Sequence, residues 1–258
     1  MEQLNVLLAL SVILLLFFWR NRNRIHFSQL FRSDRLNENE LRILRQYFEF
    51  YNRLPSRSKK IFERKVARFI RLKEFIPRRM DSVTTEMKVL ISSSAVQLTF
   101  GLPQVYLHHF RYILVYPDSY YSNITKKYHK GEVNPRQHSI VLSWKAFLEG
   151  YIHREGINLG LHEMAHALHL ENRIRNKEYD FLPFEALEKW DELTRKEIKL
   201  IKSGNSFFRL YGSTDTYEFF AVAVEYFFER PAELNQQRPQ LYQLLSLILN
   251  QNPLLLYK

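Results

Sequence analysis

The chain has 258 residues, no cysteine and a formal net charge of +11. A chain of this length can bury a full core, and its 46% hydrophobic content excludes a disordered protein. The lack of cysteine excludes disulfide bonds, a cysteine-ligated zinc site and a cysteine nucleophile. Its 7 glycines disfavour a glycine-rich nucleotide-binding loop.

The positive charge is concentrated in residues 20–80, which hold 18 Lys/Arg and 6 Asp/Glu. That segment accounts for the whole net charge, so the rest of the chain is close to neutral. A basic segment beside an apolar one is attracted to anionic lipid headgroups. Because no nucleic-acid-binding motif accompanies the charge, we favour lipid over nucleic acid as its partner.

The N-terminus has the composition of a membrane anchor. The 16 residues 4–19 are apolar except for two positions, which is at the short edge of what spans a bilayer core of about 30 Å. Trp19 and three arginines up to Arg24 follow this run, whereas a cleaved signal peptide has its positive charge before the run. We predict a single-pass anchor with a basic flank over residues 1–24; a buried or signal-type helix is the alternative. The positive-inside rule then keeps the following domain cytoplasmic, at the cell membrane.

The next segment is predicted to be helical. Apolar spacing indicates two helices between Asn37 and about Phe75, separated at Leu54-Pro55-Ser56. We expect residues 25–80 to form a basic helical segment packed on a catalytic domain of residues 81–258. Asp81-Ser82 is expected to cap a further helix that runs to about Leu98.

Two short β-branched and aromatic runs then predict strands, at residues 112–116 and 139–143. From Ile157 the chain is predicted to be helical again. Breaks are expected near Pro183, Gly204, Gly212 and Pro231. The sum is an α+β fold, mainly helical with a small sheet, preceded by the transmembrane helix.

One motif carries chemistry: residues 162–166 read His-Glu-Met-Ala-His, the form HExxH. Residues four apart lie on one face of a helix, so His162 and His166 can reach the same ion. Zinc binds neutral imidazole well and keeps one position for water in catalytic sites. Glu163 can take a proton from that water and pass it to the leaving amine. An amphipathic helix with two structural histidines is the alternative.

A catalytic zinc ion needs a third protein ligand, and Glu218 is the candidate. It lies in an otherwise apolar helical run, where a carboxylate is costly to bury without a partner. Glu225, seven residues later, shares its face and is expected to hydrogen-bond a ligand imidazole. His169 is only three residues after His166, and we expect it behind the ligands or facing solvent. For either glutamate, a surface ion pair is the alternative.

At this point the sequence resembles the Mlc titration factor A family of zinc metallopeptidases, which is distantly similar to the catalytic domain of anthrax lethal factor. The resemblance covers about residues 37–252, outside the anchor. It rests on four stretches: YILVYP from Tyr112, SIVLSW from Ser139, NLGLHEMAHAL from Asn158 and EFFAVAVEYFF from Glu218.

The resemblance implies a gluzincin-like domain with one Zn²⁺ per chain, bound by His162, His166 and Glu218, with Glu163 as general base. It also implies that Tyr211 hydrogen-bonds the tetrahedral oxyanion; a core aromatic is the alternative. The strand at residues 139–143 would be the sheet edge along which a peptide lies. A regulatory protein is a further implied partner.

Three hypotheses follow. The first is a membrane-tethered zinc peptidase that hydrolyses peptides or unfolded protein at the cytoplasmic face through a metal-activated water. The second is a zinc-stabilised binding module that sequesters a regulatory protein and hydrolyses little. The third is a membrane-associated nucleic-acid binder using residues 20–80. We favour the first, and the sequence leaves open whether it is an aminopeptidase or an endopeptidase.

Overall fold

The computed structural model describes residues 34–102, 104–122, 126–153, 156–174 and 181–256. The predicted anchor at residues 4–19 lies outside this part of the chain and stays a prediction. Among the described helices, none is both long enough and apolar enough to cross a bilayer. Residues Arg35–Lys258 make up one compact unit.

Helices dominate the described chain. In chain order they are α1 Glu38–Tyr47, α2 Glu49–Arg53, α3 Ser56–Leu72, α4 Thr85–Thr99, α5 Trp144–His153, α6 Leu159–Ile174, α7 Phe184–Lys202, α8 Thr216–Glu229, α9 Pro231–Gln237, α10 Pro239–Ile248 and α11 Pro253–Leu256. A 3₁₀ turn, Leu210–Ser213, precedes α8. The predicted breaks near Pro183, Gly204, Gly212 and Pro231 are confirmed, as is the separation of two helices at Pro55.

The strands are short. They are β1 Glu74–Pro77, β2 Tyr112–Tyr116, β3 Tyr120–Ser122, β4 Lys127–His129, β5 Gly131–Asn134 and β6 Ser139–Ser143. Four of them form a mixed sheet in the order β1-β2-β6-β5, with β5 antiparallel to β6 and the other pairs parallel. Strands β3 and β4 form a separate antiparallel pair. The predicted α+β class and both predicted strands are confirmed.

Three local predictions are wrong. The helix expected to reach Phe75 ends at Leu72, because residues 74–77 pair with β2 as an edge strand, where Pro77 is tolerated. The cap of α4 is Thr84 rather than Asp81 or Ser82, since the Thr84 hydroxyl accepts a hydrogen bond from the Met87 amide at 3.2 Å.

The third wrong prediction is that the strand at residues 139–143 forms the sheet edge along which a peptide lies. Strand β6 is fully buried between β2 and β5, so it cannot pair with a peptide. Strand β5 pairs with β6 and with no other strand of the described chain, which makes β5 the edge. The uninterrupted apolar run of β6 is typical of a strand covered on both faces, which explains why it is interior.

The core positions the helix that carries HExxH. Helix α6 packs against α8 and α4, and also against β5 and β6. Helix α8 is buried from Phe219 to Phe228, and α4 is buried over almost its whole length. These surroundings hold one face of α6 at the edge of the sheet, beside β5.

Candidate metal centre

The N-terminal half of helix α6 carries the two histidines of the candidate site. The Asn158 side chain accepts a hydrogen bond from the Leu161 amide at 3.0 Å and so caps the first turn. His162 and His166 then lie one turn apart, and their Nε2 atoms are 3.1 Å apart. Buried apolar residues on the other faces hold this turn in the core.

Helix α8 brings the third side chain. Asp215 caps this helix by accepting hydrogen bonds from the amides of Tyr217 and Glu218 at 2.8 and 2.9 Å. The Oε2 atom of Glu218 lies 3.1 Å from Nε2 of His162 and 3.3 Å from Nε2 of His166. The three side chains singled out in the sequence therefore meet at one point, as a group able to hold a metal ion.

The spacing of these donor atoms fits zinc. Two imidazoles and one carboxylate are a common donor set of catalytic zinc sites. Tetrahedral coordination with metal–ligand bonds of about 2.0–2.1 Å separates the ligand atoms by about 3.3–3.4 Å. The observed separations of 3.1, 3.1 and 3.3 Å are close to three edges of such a tetrahedron.

Glu225 orients one imidazole from behind. Its Oε1 atom lies 2.8 Å from Nδ1 of His162. Since a carboxylate can only accept, Nδ1 carries a proton, which leaves Nε2 as the nitrogen that could bind a metal ion. The expected hydrogen bond between Glu225 and a candidate ligand is confirmed.

Arg209 and Asn158 also hold Glu225 in place, and the sequence did not predict this role for either of them. Arg209 donates hydrogen bonds to Glu225 and to the carbonyl of Gly156, which ties the loop before the 3₁₀ turn to the start of α6. The amide of Asn158 also donates to Glu225, and its side chain donates to Glu229 at 2.8 Å. The sequence signal for Arg209 was its position between the apolar residues Phe208 and Leu210. A cation in apolar surroundings needs a partner of opposite charge.

Glu163 is buried and lies against the sheet edge. Gly131 is the first residue of β5, and a Cβ atom added to it would be 2.3 Å from the Oε1 atom of Glu163. Only glycine therefore allows the carboxylate to lie at this position. Burial raises the pKa of Glu163, and this outweighs the lowering by His162 and His166.

The charges of the centre are strongly coupled. Burial lowers the pKa of His162, but hydrogen bonds to Glu218 and Glu225 raise it to about 10. Burial raises the pKa of Glu218, yet hydrogen bonds to His162 and His166 hold it well below its usual value. The carboxylates thus favour a positive charge at the imidazoles, which is also the property of a cation site.

Tyr211 lies beside the same group. Its ring centroid is 5.8 Å from that of His162, and the residue is 50% exposed. Burial and the neighbouring Glu218 carboxylate raise the pKa of its hydroxyl, so it remains a hydrogen-bond donor at neutral pH. The half-exposed position is unlike that of a core aromatic.

His169 lies apart from the three donors. Its ring packs against Tyr217 and Phe220, with centroid distances of 4.9 and 5.5 Å. Burial lowers its pKa to about 4, so the ring is neutral at pH 7. The metal-capable group of described residues does not include it.

The mixed sheet, the HExxH helix and the glutamate on a second helix make this a protein with a metallopeptidase-type fold. The chain belongs to the family described as glucose-regulated metallo-peptidase M90, whose profile matches residues 17–249. The family resemblance inferred from the sequence is confirmed.

Individual relatives agree with this assignment. Mlc titration factor A of Escherichia fergusonii is 28% identical over 210 residues, which is 73% of this chain and 77% of the relative. The protein of the same name from Escherichia coli O1:K1 is 26% identical over 209 residues, 72% of this chain and 77% of the relative. An uncharacterized protein of Synechocystis sp. is 28% identical over 222 residues, 79% of this chain and 80% of the relative.

Proposed function

We propose that the protein is a zinc-dependent peptidase in which His162, His166 and Glu218 bind the metal. The observation that carries this proposal is the triangle of donor atoms with 3.1–3.3 Å edges, beside the buried Glu163. A bound zinc ion would polarise the scissile carbonyl and lower the pKa of a water molecule.

The protein's own groups supply the remaining steps. A carboxylate oxygen of Glu163 takes the proton of the attacking water and passes it to the nitrogen of the leaving amine. The hydroxyl of Tyr211 donates a hydrogen bond to the oxyanion that develops on the substrate. Glu225, held by Arg209, keeps His162 in the tautomer that leaves Nε2 free for the metal.

The free edge of β5 supports an extended peptide as substrate. Its backbone groups can add main-chain hydrogen bonds to a peptide strand. Gly131 begins this edge and touches Glu163, so a peptide paired with β5 passes the general base. This proposal covers aminopeptidases and endopeptidases alike.

The direct test is a Glu163→Gln protein assayed with bound zinc. We expect it to keep its zinc and to lose peptide hydrolysis by a factor of about 10²–10⁴. A Glu192→Gln protein is the matched control, since Glu192 lies exposed on α7 and pairs with Lys196. Undiminished hydrolysis by Glu163→Gln would end the proposal.

We further propose that the peptidase is tethered to the cytoplasmic face of the cell membrane by residues 1–24. Support from the described chain comes from α3. Its side chains at Arg57, Lys60, Arg64 and Arg68 are exposed and spaced three or four residues apart, which puts them on one face over about 16 Å.

Within the described chain, this basic face has few acidic neighbours. Among the described residues, no carboxylate forms an ion pair with Arg57, Lys60 or Arg64. Helix α3 has one acidic residue, Glu63, which accepts a hydrogen bond from the Tyr51 hydroxyl at 2.7 Å. Helix α3 packs on α4, and α4 packs on α6. A membrane at the basic face would therefore leave the metal centre accessible.

The absence of cysteine allows a clean test of this orientation. A fluorophore on Lys60→Cys in the full chain should be quenched by headgroup quenchers in vesicles containing phosphatidylserine, and high salt should weaken the quenching. A label on Glu192→Cys should not be quenched. Membrane association with equal quenching at both sites would contradict the orientation, and no association would contradict the tether.

A regulatory protein is the proposed additional partner, because two of the relatives are named for the titration of Mlc. Capture by zinc-loaded Glu163→Gln separates two roles. A protein captured by this variant and cleaved by the wild type is a substrate. A protein bound intact by both is a sequestered partner, and capture of neither kind would remove the proposed partner.

A further inference from the structure

A cavity of about 550 Å³ opens directly beside the candidate metal centre. His162, Glu163 and Tyr211 line one side of it, and Gly131 at the edge of β5 lines another. The far wall comes from α5 and from Ile157 and Leu159. A peptide paired with β5 therefore passes over the mouth of this cavity.

The cavity exists because α5 presents its smallest side chains there. Ala146 and Gly150 lie one turn apart and both line it. The large aromatic residues of α5 stack on one another instead, with ring centroids 5.4 Å apart for Trp144–Phe147 and for Phe147–Tyr151. A Cβ atom on Gly150 would lie 2.7 Å from the carbonyl oxygen of Ile157. Backbone packing therefore fixes Gly150, and Ala146 sets the depth of the recess.

Beyond α5, this wall is apolar and accessible. Ile157 is 56% exposed although it lines the cavity, and the partly buried Leu159 lies next to it. Exposed apolar side chains lining a concave site are typical of a surface that binds an apolar group.

The charged groups of the cavity do not oppose an apolar occupant. Arg209 and Glu225 pair with each other, and Glu163 has its role at the reacting bond. Lys130 and Glu149 are exposed and opposite in sign. Apart from Glu163, the described lining therefore has no unpaired buried charge that could select a charged side chain.

We infer that this cavity is the subsite for a large apolar side chain, such as Phe or Leu, next to the scissile bond. The inference rests on the proposed peptidase function and adds its substrate class. Ala146 is the specificity-determining residue, because a larger side chain at this position would fill the recess without touching the metal centre.

The test compares peptides that differ at one position. Alanine hexapeptides carrying a single Phe, Leu, Lys or Glu are offered to the zinc-loaded wild-type protein and to an Ala146→Leu protein. We expect the wild type to cleave beside Phe or Leu with a kcat/KM at least about 10-fold above the other peptides. Ala146→Leu should lower the kcat/KM for the Phe peptide by about 10-fold relative to its own kcat/KM for an all-alanine hexapeptide. Lys145→Leu, an exposed neighbour, is the matched control.

A binding measurement tests the subsite independently of peptide hydrolysis. The same peptides are titrated calorimetrically into zinc-loaded Glu163→Gln, with and without Ala146→Leu. Tighter binding of the Phe peptide that disappears with Ala146→Leu supports the subsite even if no peptide is cleaved, in which case only the peptidase proposal fails.

A second variant guards against misfolding of Ala146→Leu. Ile157→Ser removes the exposed apolar wall and should lower the preference for Phe in both arms. A wild-type preference for Lys or Glu would overturn the inference. So would equal binding of all peptides, or a Phe preference that survives both substitutions.

Discussion

The buried charges of the centre favour a cation beside the two histidines. Glu163, Glu218 and Glu225 face the two histidines. Within the described site, Arg209 pairs with Glu225 alone. Neutral imidazoles would leave this cluster with an excess of negative charge in a buried position, which is costly. A divalent cation held by the Nε2 atoms would remove that excess and would take the place of the proton that His162 otherwise retains.

The role proposed for Tyr211 can be tested by removing its hydroxyl. A Tyr211→Phe protein should bind zinc as the wild type does, because no metal donor is removed. Its kcat should fall by about 10²–10³, the effect of removing one oxyanion donor. Steady-state kinetics with metal analysis checks this, and an unchanged kcat would return Tyr211 to the role of a packing residue.

At the level of elements, the centre requires a contact between α6 and β5. Gly131 allows the Glu163 carboxylate to lie against the strand. A Gly131→Ala protein should therefore shift Glu163 and lose hydrolysis by at least about 10-fold while retaining zinc, since misplacing a catalytic group is costly. Loss of zinc together with activity would show that the strand supports the whole site instead. Gly204→Ala is a control for the substitution, since a Cβ atom there meets nothing within 4 Å, although its positive φ adds local strain.

These elements also show what the sequence could predict. The HExxH spacing and the isolated Glu218 favoured a shared partner over structural histidines and a surface ion pair, so the three donors could be named in advance. Strand β5 could not, because its four residues Gly-Glu-Val-Asn carry no strand pattern and depend on pairing with β6. Arg209 and Gly131 act through tertiary contacts with α6 and α8, which a local pattern does not record.

For the whole molecule, one buried carboxyl links stability to pH. Burial raises the pKa of Glu229 from 4.5 to about 7, although hydrogen bonds from Asn158 and Gly156 oppose the shift. The folded protein therefore holds this proton in a range where the unfolded chain has lost it. The resulting stability is present below pH 4.5 and is lost as the pH rises through 7.

We therefore expect the contribution of Glu229 to the free energy of unfolding of the metal-free protein to fall by roughly 1–3 kcal/mol between pH 4.5 and 7.5. The lowered pKa of His169 acts in the opposite direction, so the contribution is read as the difference between the wild type and Glu229→Gln. Glu229→Gln should lack this contribution, whereas Glu233→Gln, exposed on α9, should match the wild type. Urea unfolding at several pH values with a chelator present measures the difference. Parallel curves for the wild type and Glu229→Gln would contradict the assignment.

The architecture brings α6 and α8 together around one set of donors, and the proposed activity depends on that meeting. Metal analysis of purified wild-type and Glu218→Ala proteins tests it most directly, with Glu233→Ala as control. The wild type and the control should bind about one zinc ion per chain, and Glu218→Ala should lose at least about 100-fold in zinc affinity. Full zinc occupancy and unchanged affinity in Glu218→Ala would contradict the assignment of the centre.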